Sequence, residues 1–234
     1  MKEEFEYIAK GAAPDKAQKL VILLHGYGFN AYAMEKLADL VVAKVPQAQL
    51  IMPHAPESYD NPSVDEAGLL QVPQILRDET NMVDDPRQWF SIQGKTLPDY
   101  AKALSDLAVR MNDFIDKKRD EAGITDRDIA IMGFSMGGAV ALYTAYLRAD
   151  EVACVVGHST VFGGGENLRT KPSTLFIYGG ADEEFSVARY QDVIAALQSY
   201  GVDLSTHYIP DLSHRTSHES RLFTADFIAR HISP

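Results

Sequence analysis

"AIMGFSMGGAVAL" occupies residues 130–142 and sets one serine between two glycines, after a strand-like apolar run and before a small-residue helical pattern. A chain that passes from strand to helix with no intervening loop must turn sharply. It does so here at Gly133-Phe134-Ser135-Met136-Gly137, the pattern G-x-S-x-G. Residues without Cβ on either side keep the flanking segments from colliding, so the serine hydroxyl can stand clear of the sheet. A helix starting near Met136 also aims backbone N–H groups and a positive dipole end at any negative charge forming there. Ser135 is thus a candidate nucleophile. The rival reading is an ordinary loop serine among convenient glycines, because so short a pattern arises often by chance.

The surrounding elements give that turn a context. "KLVILLHG" (residues 19–26) is a continuous apolar run stopped by glycine, as in a strand buried on both faces. "NAYAMEKLADLVVAKV" shows helical spacing through Met34, Leu37, Leu40 and Val41, and "AQLIMPHAP" reads as the next strand. A long helix comes next in "LPDYAKALSDLAVRMNDFIDKKRDEAG", with Leu104, Leu107, Met111 and Ile115 on one stripe and Gly123 as its stop. Then come strand "DIAIMG", the helix after Ser135, strands "VACVVG" and "STLFIYGG", helix "SVARYQDVIAALQSYG", strand "VDLSTHYI" and helix "HESRLFTADFIARHI". Strands that mostly alternate with helices predict an α/β fold, a largely parallel sheet with helices on both faces. Chemistry in such sheets collects on the loops leaving the carboxyl ends of the strands.

Those loops supply partners for Ser135. A serine hydroxyl is a poor nucleophile near neutral pH and needs a base, and strand–turn–helix serine sites order their residues Ser, acid, His along the chain. "STLFIY" exits into Gly179-Gly180-Ala181-Asp182, and "THYIP" exits into Asp211-Leu212-Ser213-His214. Asp182 and His214 therefore fill the two remaining roles in order. Asp182 could instead cap the next helix. His218 rivals His214 but falls at the start of the last helix; His25 precedes the serine and reads as a loop-fixing residue. His54, His158, His207 and His231 share no task, and no pair has a metal-ligand spacing, so neither metal nor cofactor is expected. For the oxyanion of acyl transfer, the donors expected are the backbone N–H of Met136 and that of Tyr27, in the glycine-rich loop His25-Gly26-Tyr27-Gly28.

Bulk properties narrow the partners. The 234 residues are 46% hydrophobic, enough for one domain with a sizeable core, and no Pro/Gly/Ser-rich linker divides them. A formal net charge of -11 argues against nucleic acid and against anionic membrane surfaces. Cys154 is the sole cysteine, no apolar run is long enough to span a membrane, and "MKEEFEYIAKG" is too charged for a secretory signal. A cytoplasmic protein without stable membrane insertion is expected.

With "RQWFSI" (residues 87–92), these segments, "LLHGYG", "GFSMGGA", "YGGAD" and "LSH", together resemble the phospholipase/carboxylesterase family of α/β-hydrolases, in family-like order across nearly the whole chain. The resemblance implies a single α/β-hydrolase domain over residues 1–234. It implies a nucleophile at Ser135 partnered by Asp182 and His214, an oxyanion pair at Tyr27 and Met136, and Trp89 and Phe90 flanking the substrate cleft. The implied reaction is hydrolysis of a small-molecule or lipid acyl ester through an acyl-enzyme, with short to medium acyl chains and thioesters in range. A peptidase of the same fold and a non-catalytic ligand-binding relative are the alternatives. Three features depart from the family: Met136 where Gln usually comes after the nucleophile, Phe29 where an Asp commonly comes after the first glycine loop, and a long connection over residues 56–85.

That connection is the most individual part of the sequence. Ser63-Val64-Asp65-Glu66 has the pattern of a capping box, and Leu69, Leu70, Val72, Ile75 and Leu76 cluster around Pro73. Beside a catalytic edge such a cluster suggests a lid or acyl-chain wall, with Leu69 and Leu70 as substrate contacts. Packing on the protein body, or a homodimer contact, would use the same residues.

Overall fold

The computed structural model of the chain describes residues 5–59, 84–92, 94–164 and 168–232. In chain order the strands are β1 (Tyr7–Gly11), β2 (Lys19–Leu24), β3 (Ala48–Pro53), the two-residue β4 (Glu57–Ser58) and β5 (Arg87–Gln88), β6 (Ile129–Phe134), β7 (Cys154–His158), β8 (Ser173–Gly179) and β9 (Leu204–Ile209). The helices are α1 (Glu35–Lys44), α2 (Leu97–Ala122), α3 (Met136–Leu147), α4 (Val187–Ser199) and α5 (His218–Ile232). Seven strands form one sheet in the order β1-β3-β2-β6-β7-β8-β9, and β4 pairs with β5 apart from it. Within the seven-stranded sheet every pairing from β3 to β9 is parallel; only β1 runs antiparallel, Tyr7 opposite Pro53 through Gly11 opposite Gln49.

The period of two along a strand explains why the central runs are apolar throughout. Leu20, Ile22 and Leu24 of β2 join Ile129 and Ile131 of β6 in the core under α2, α3 and α4. Val21 and Leu23 join Ala130 and Met132 in the core under α1 and α5. The long helix is framed as its sequence indicates. Thr96 and Asp99 exchange capping hydrogen bonds at its start, and Gly123, at φ 65°, closes it in the left-handed region.

The sequence does not announce the first strand. "YIAKG" alternates exposed and half-buried positions at the sheet edge, so it carries no apolar run to mark it. The segment with helical spacing from Asn30 begins instead with a 3₁₀ turn at Ala31–Met34, capped by the Asn30 side chain, before α1. Among the described residues, no helix is both long and apolar enough to cross a membrane.

Candidate active site

β6 ends at the centre of the sheet and α3 begins one residue later, so Ser135 must reverse the chain alone. It does so at φ 53° and ψ -122°, a conformation that a non-glycine residue holds only when its surroundings over-determine it. Those surroundings are identifiable. Ser135 N donates to His158 O at 2.9 Å, and Ser135 O accepts from the Thr160 hydroxyl at 2.7 Å and from Gly138 N at 2.9 Å. The flanking glycines are required by close approach. A Cβ at Gly133 would lie 2.0 Å from Gly137 O, and one at Gly137 would lie 2.3 Å from His25 O.

The exits of β8 and β9 bring the other two side chains to this hydroxyl. His214 Nε2 lies 2.8 Å from Ser135 Oγ, and His214 Nδ1 lies 2.9 Å from Asp182 Oδ2. The carboxylate can only accept from Nδ1–H, which leaves Nε2 as the acceptor facing the serine hydroxyl. The imidazole is buried between the Phe134 and Phe185 rings, with centroids 5.1 and 5.5 Å away. Asp182 acts within its loop as well: Oδ1 accepts from Glu184 N and Phe185 N at 2.9 and 3.0 Å. Oδ2 takes a second donor, the Tyr190 hydroxyl, at 2.5 Å. Burial alone would raise the Asp182 pKa. The donors from His214, Tyr190 and Phe185 N outweigh it and hold the carboxyl below the usual carboxylate range. The helix cap of α4 falls to Ser186, whose side chain accepts from Arg189 N.

The loop after β2 is a tight turn in which Phe29 N donates to Gly26 O at 3.2 Å, with Gly28 at φ 75°. Gly26 packs against Ser135, since a Cβ there would lie 3.4 Å from the serine Cβ. Tyr27 borders the same cleft as the hydroxyl, and Met136 N–H opens α3 among the donors that have no acceptor within their own helix. His25 anchors this turn. Its Nε2 accepts from Ala55 N at 3.0 Å, so Nδ1–H donates to Gly26 O at 2.8 Å. Complete burial pushes its pKa down to about 3, so the ring stays neutral. His218 stands exposed at the first position of α5.

Trp89 and Phe90, expected at the cleft, stand behind its wall. Trp89 is 1% exposed, stacks on His25 at 5.1 Å and donates Nε1–H to His25 O at 2.8 Å. A buried indole needs an acceptor, and the turn carbonyl provides it. Phe90 packs edge-on against Tyr100 at 5.2 Å, and Tyr100 itself faces the cleft. Leu69 and Leu70, with most of the 56–85 connection, lie outside the described residues.

The cleft is a groove of about 670 Å³ that starts at Ser135 and His214 and is largely apolar. Tyr100 and Leu104 of α2, Tyr143 of α3, Phe162, Phe185 and Val193 of α4 supply most of its ring and aliphatic surface. Local sequence pattern does not point to several of these. Tyr143 sits within α3, where an aromatic reads as core, and Tyr190 of α4, which meets Asp182 rather than the cleft, reads in the same way.

This fold and this Ser–His–Asp geometry define an α/β-hydrolase, and the chain belongs to the phospholipase/carboxylesterase family, whose model matches residues 6–67 and 73–232. It is 28% identical over 221 residues to esterase YpfH of Escherichia coli, covering 92% of this chain and 84% of that protein. Among solved structures it resembles esterase PE8, with a TM-score of 0.81 at 18% identity, covering 98% of this chain and 100% of that one. The Bacillus cereus carboxylesterase matches with a TM-score of 0.72 at 15% identity, covering 98% and 96% of the two chains.

Proposed function

We propose that the protein is a serine carboxylesterase that hydrolyses acyl esters through an acyl-enzyme on Ser135. The observation that carries this reading is the unbroken path from Ser135 Oγ through His214 to Asp182, set on a strained turn at the start of α3. In the first half-reaction Ser135 Oγ attacks the acyl carbonyl carbon while its proton passes to His214 Nε2. The carbonyl oxygen takes up the negative charge, held by the N–H groups of Tyr27 and Met136; such a donor is worth about 10²–10³ in rate. Asp182 fixes the imidazole tautomer and stabilises the imidazolium. His214 Nε2–H then protonates the leaving alcohol, the C–O bond breaks, and the acyl group stays on Ser135. Water repeats the sequence: its proton goes to Nε2, its oxygen to the acyl carbon, and the serine leaves with the proton.

The groove volume lies within the ~300–1,000 Å³ usual for small-molecule sites and suits short to medium acyl groups. A thioester presents the same carbonyl and a better leaving group, so acyl thioesters belong to the proposed range. With one buried cysteine, the chain suits a reducing, cytoplasmic setting. Labelling by a fluorophosphonate probe and turnover of p-nitrophenyl butyrate, both abolished by Ser135→Ala, would support this reading. Turnover that survives Ser135→Ala, or a wild-type chain that neither labels nor turns over, would reject it.

A further inference from the structure

The groove that begins at Ser135 extends along α4. Arg189, Asp192, Val193 and Ala196 border it there, so it tracks one helix face over the eight residues from Arg189 to Ala196, roughly 10 Å at the α-helical rise. Beyond lies a second cavity of about 390 Å³ between α2, α3 and the segment after β7. The two share Ala101, Tyr143, Phe162 and Gly163 as walls. Ala101 and Gly163 have next to no side chain, so among the described residues the barrier consists of two rings.

Those rings are held in place from behind. Tyr143 and Phe162 are tilted against each other with centroids 5.1 Å apart, and Phe162 also meets Tyr146 edge-on at 5.4 Å. The Tyr143 hydroxyl lies 2.5 Å from where a Cβ on Gly164 would stand, so it uses space that only glycine leaves open. Both rings are nearly buried, and so have little room to swing aside. On the far side, Leu147, Leu168 and Tyr200 line the second cavity, with Lys102 and Ser105 toward α2. This cavity is about equally polar and apolar, so without the rings it would offer a longer chain volume but a less apolar wall than the groove itself.

We infer that the Tyr143–Phe162 pair is the stop that sets the longest straight acyl chain the groove accepts, a specificity determinant that rests on the esterase reading above. A linear saturated chain threads the groove with its carbonyl at Ser135 until its methyl end meets the rings. Longer chains must bend or leave the carbonyl displaced from the hydroxyl, and kcat/KM falls.

The test is a series of p-nitrophenyl esters from acetyl to palmitoyl, read as the ratio of kcat/KM for each longer ester to that for butyryl. Tyr143→Ala joins the two cavities and should move the optimum to longer chains, raising the lauroyl-to-butyryl ratio at least tenfold. Tyr143→Phe keeps the ring and should retain the wild-type profile. Phe162→Ala removes the other ring and should raise the same ratio in the same direction, since Phe162 is the second shared aromatic wall. The stop is rejected if both Tyr143→Ala and Phe162→Ala, folded by circular dichroism, keep the wild-type ratio, or if Tyr143→Phe shifts it as far as Tyr143→Ala. Loss of the esterase reading would look different, since turnover would then survive Ser135→Ala across the whole series.

Discussion

The Tyr190 hydroxyl donates to Asp182 Oδ2 at 2.5 Å, the same oxygen that accepts His214 Nδ1–H at 2.9 Å. One carboxylate oxygen thus divides its charge between an imidazole that gains a proton in the mechanism we propose and a phenol that keeps its own. Burial and the adjacent carboxylate both push the Tyr190 pKa up, so the phenol remains a donor throughout.

Tyr190→Phe should therefore change how the relay titrates. With one donor gone, the Asp182 carboxyl loses part of what holds its pKa down and takes up a proton at higher pH. The acid limb of kcat/KM should move to higher pH. A hydrogen bond to a charged group is worth about 1.5 kcal/mol or more, so the folded state should lose about that much stability at neutral pH, with KM nearly constant. A pH–rate profile superimposable on wild type would leave Tyr190 a packing residue only.

Asp182→Asn keeps the shape of the site and removes its charge. The amide can present its NH₂ to Nδ1, which reverses the tautomer that Ser135 requires. Turnover of a short ester should drop by about 10³–10⁴, with some loss of stability because the NH₂ cannot accept from the Tyr190 hydroxyl. A loss under about tenfold would show that another group orients His214.

His158 makes acid stability predictable. Its ring is completely buried behind Phe134, and burial, with His214 nearby, pushes its pKa from 6.5 to about 3. Between those values the unfolded chain binds a proton that the folded chain refuses, so stability declines as pH falls from 6.5 toward about 3. The slope is at most about 1.4 kcal/mol per pH unit for this one group. Urea titrations of His158→Phe across that window should show a shallower decline than wild type. Parallel curves would mean the folded ring does take up the proton.

Trp89→Phe tests the assignment of that indole to the turn rather than to the substrate. Losing Nε1–H strands the buried His25 carbonyl, and stability should fall by about 1–3 kcal/mol. KM for a short ester should hardly move. A raised KM with an unchanged melting temperature would put Trp89 back at the cleft.

Gly137→Ala should be severe for steric reasons alone. The added methyl would sit 2.3 Å from His25 O and 2.5 Å from Leu24 O, both backbone atoms at the end of the central strand β2. A destabilisation of about 3 kcal/mol or more is expected, visible as a lowered denaturant midpoint. A wild-type midpoint would require α3 to shift away from β2, which a structure of the variant would reveal.

Much of this arrangement is legible in the sequence because strand exits are marked twice. Apolar runs such as "KLVILL" and "DIAIM" announce the strands, while the glycines, Asp182 and His214 mark the loops that leave them. Features that depend on contacts across the fold are not legible in this way. β1 joins the sheet by edge pairing with no apolar signature of its own. Trp89 turns inward because a carbonyl 64 positions earlier needs a donor. Tyr190, Tyr143 and Phe162 read as core aromatics, and so they are; the cavity or oxygen each one meets is fixed by packing and not by local pattern.

Asp182 and His214 leave neighbouring strands whose loops are stapled directly, Gly180 N to Ile209 O at 2.9 Å and Ala181 N to Leu212 O at 3.1 Å. The pair to which we assign proton handling is consequently a self-contained cassette at one margin of the sheet, while the hydroxyl proposed to attack belongs to its middle. On the proposed reading, remodelling the walls between α2 and α3 would retune selectivity while leaving that cassette in place, so evolution or engineering has a region to alter at little catalytic risk.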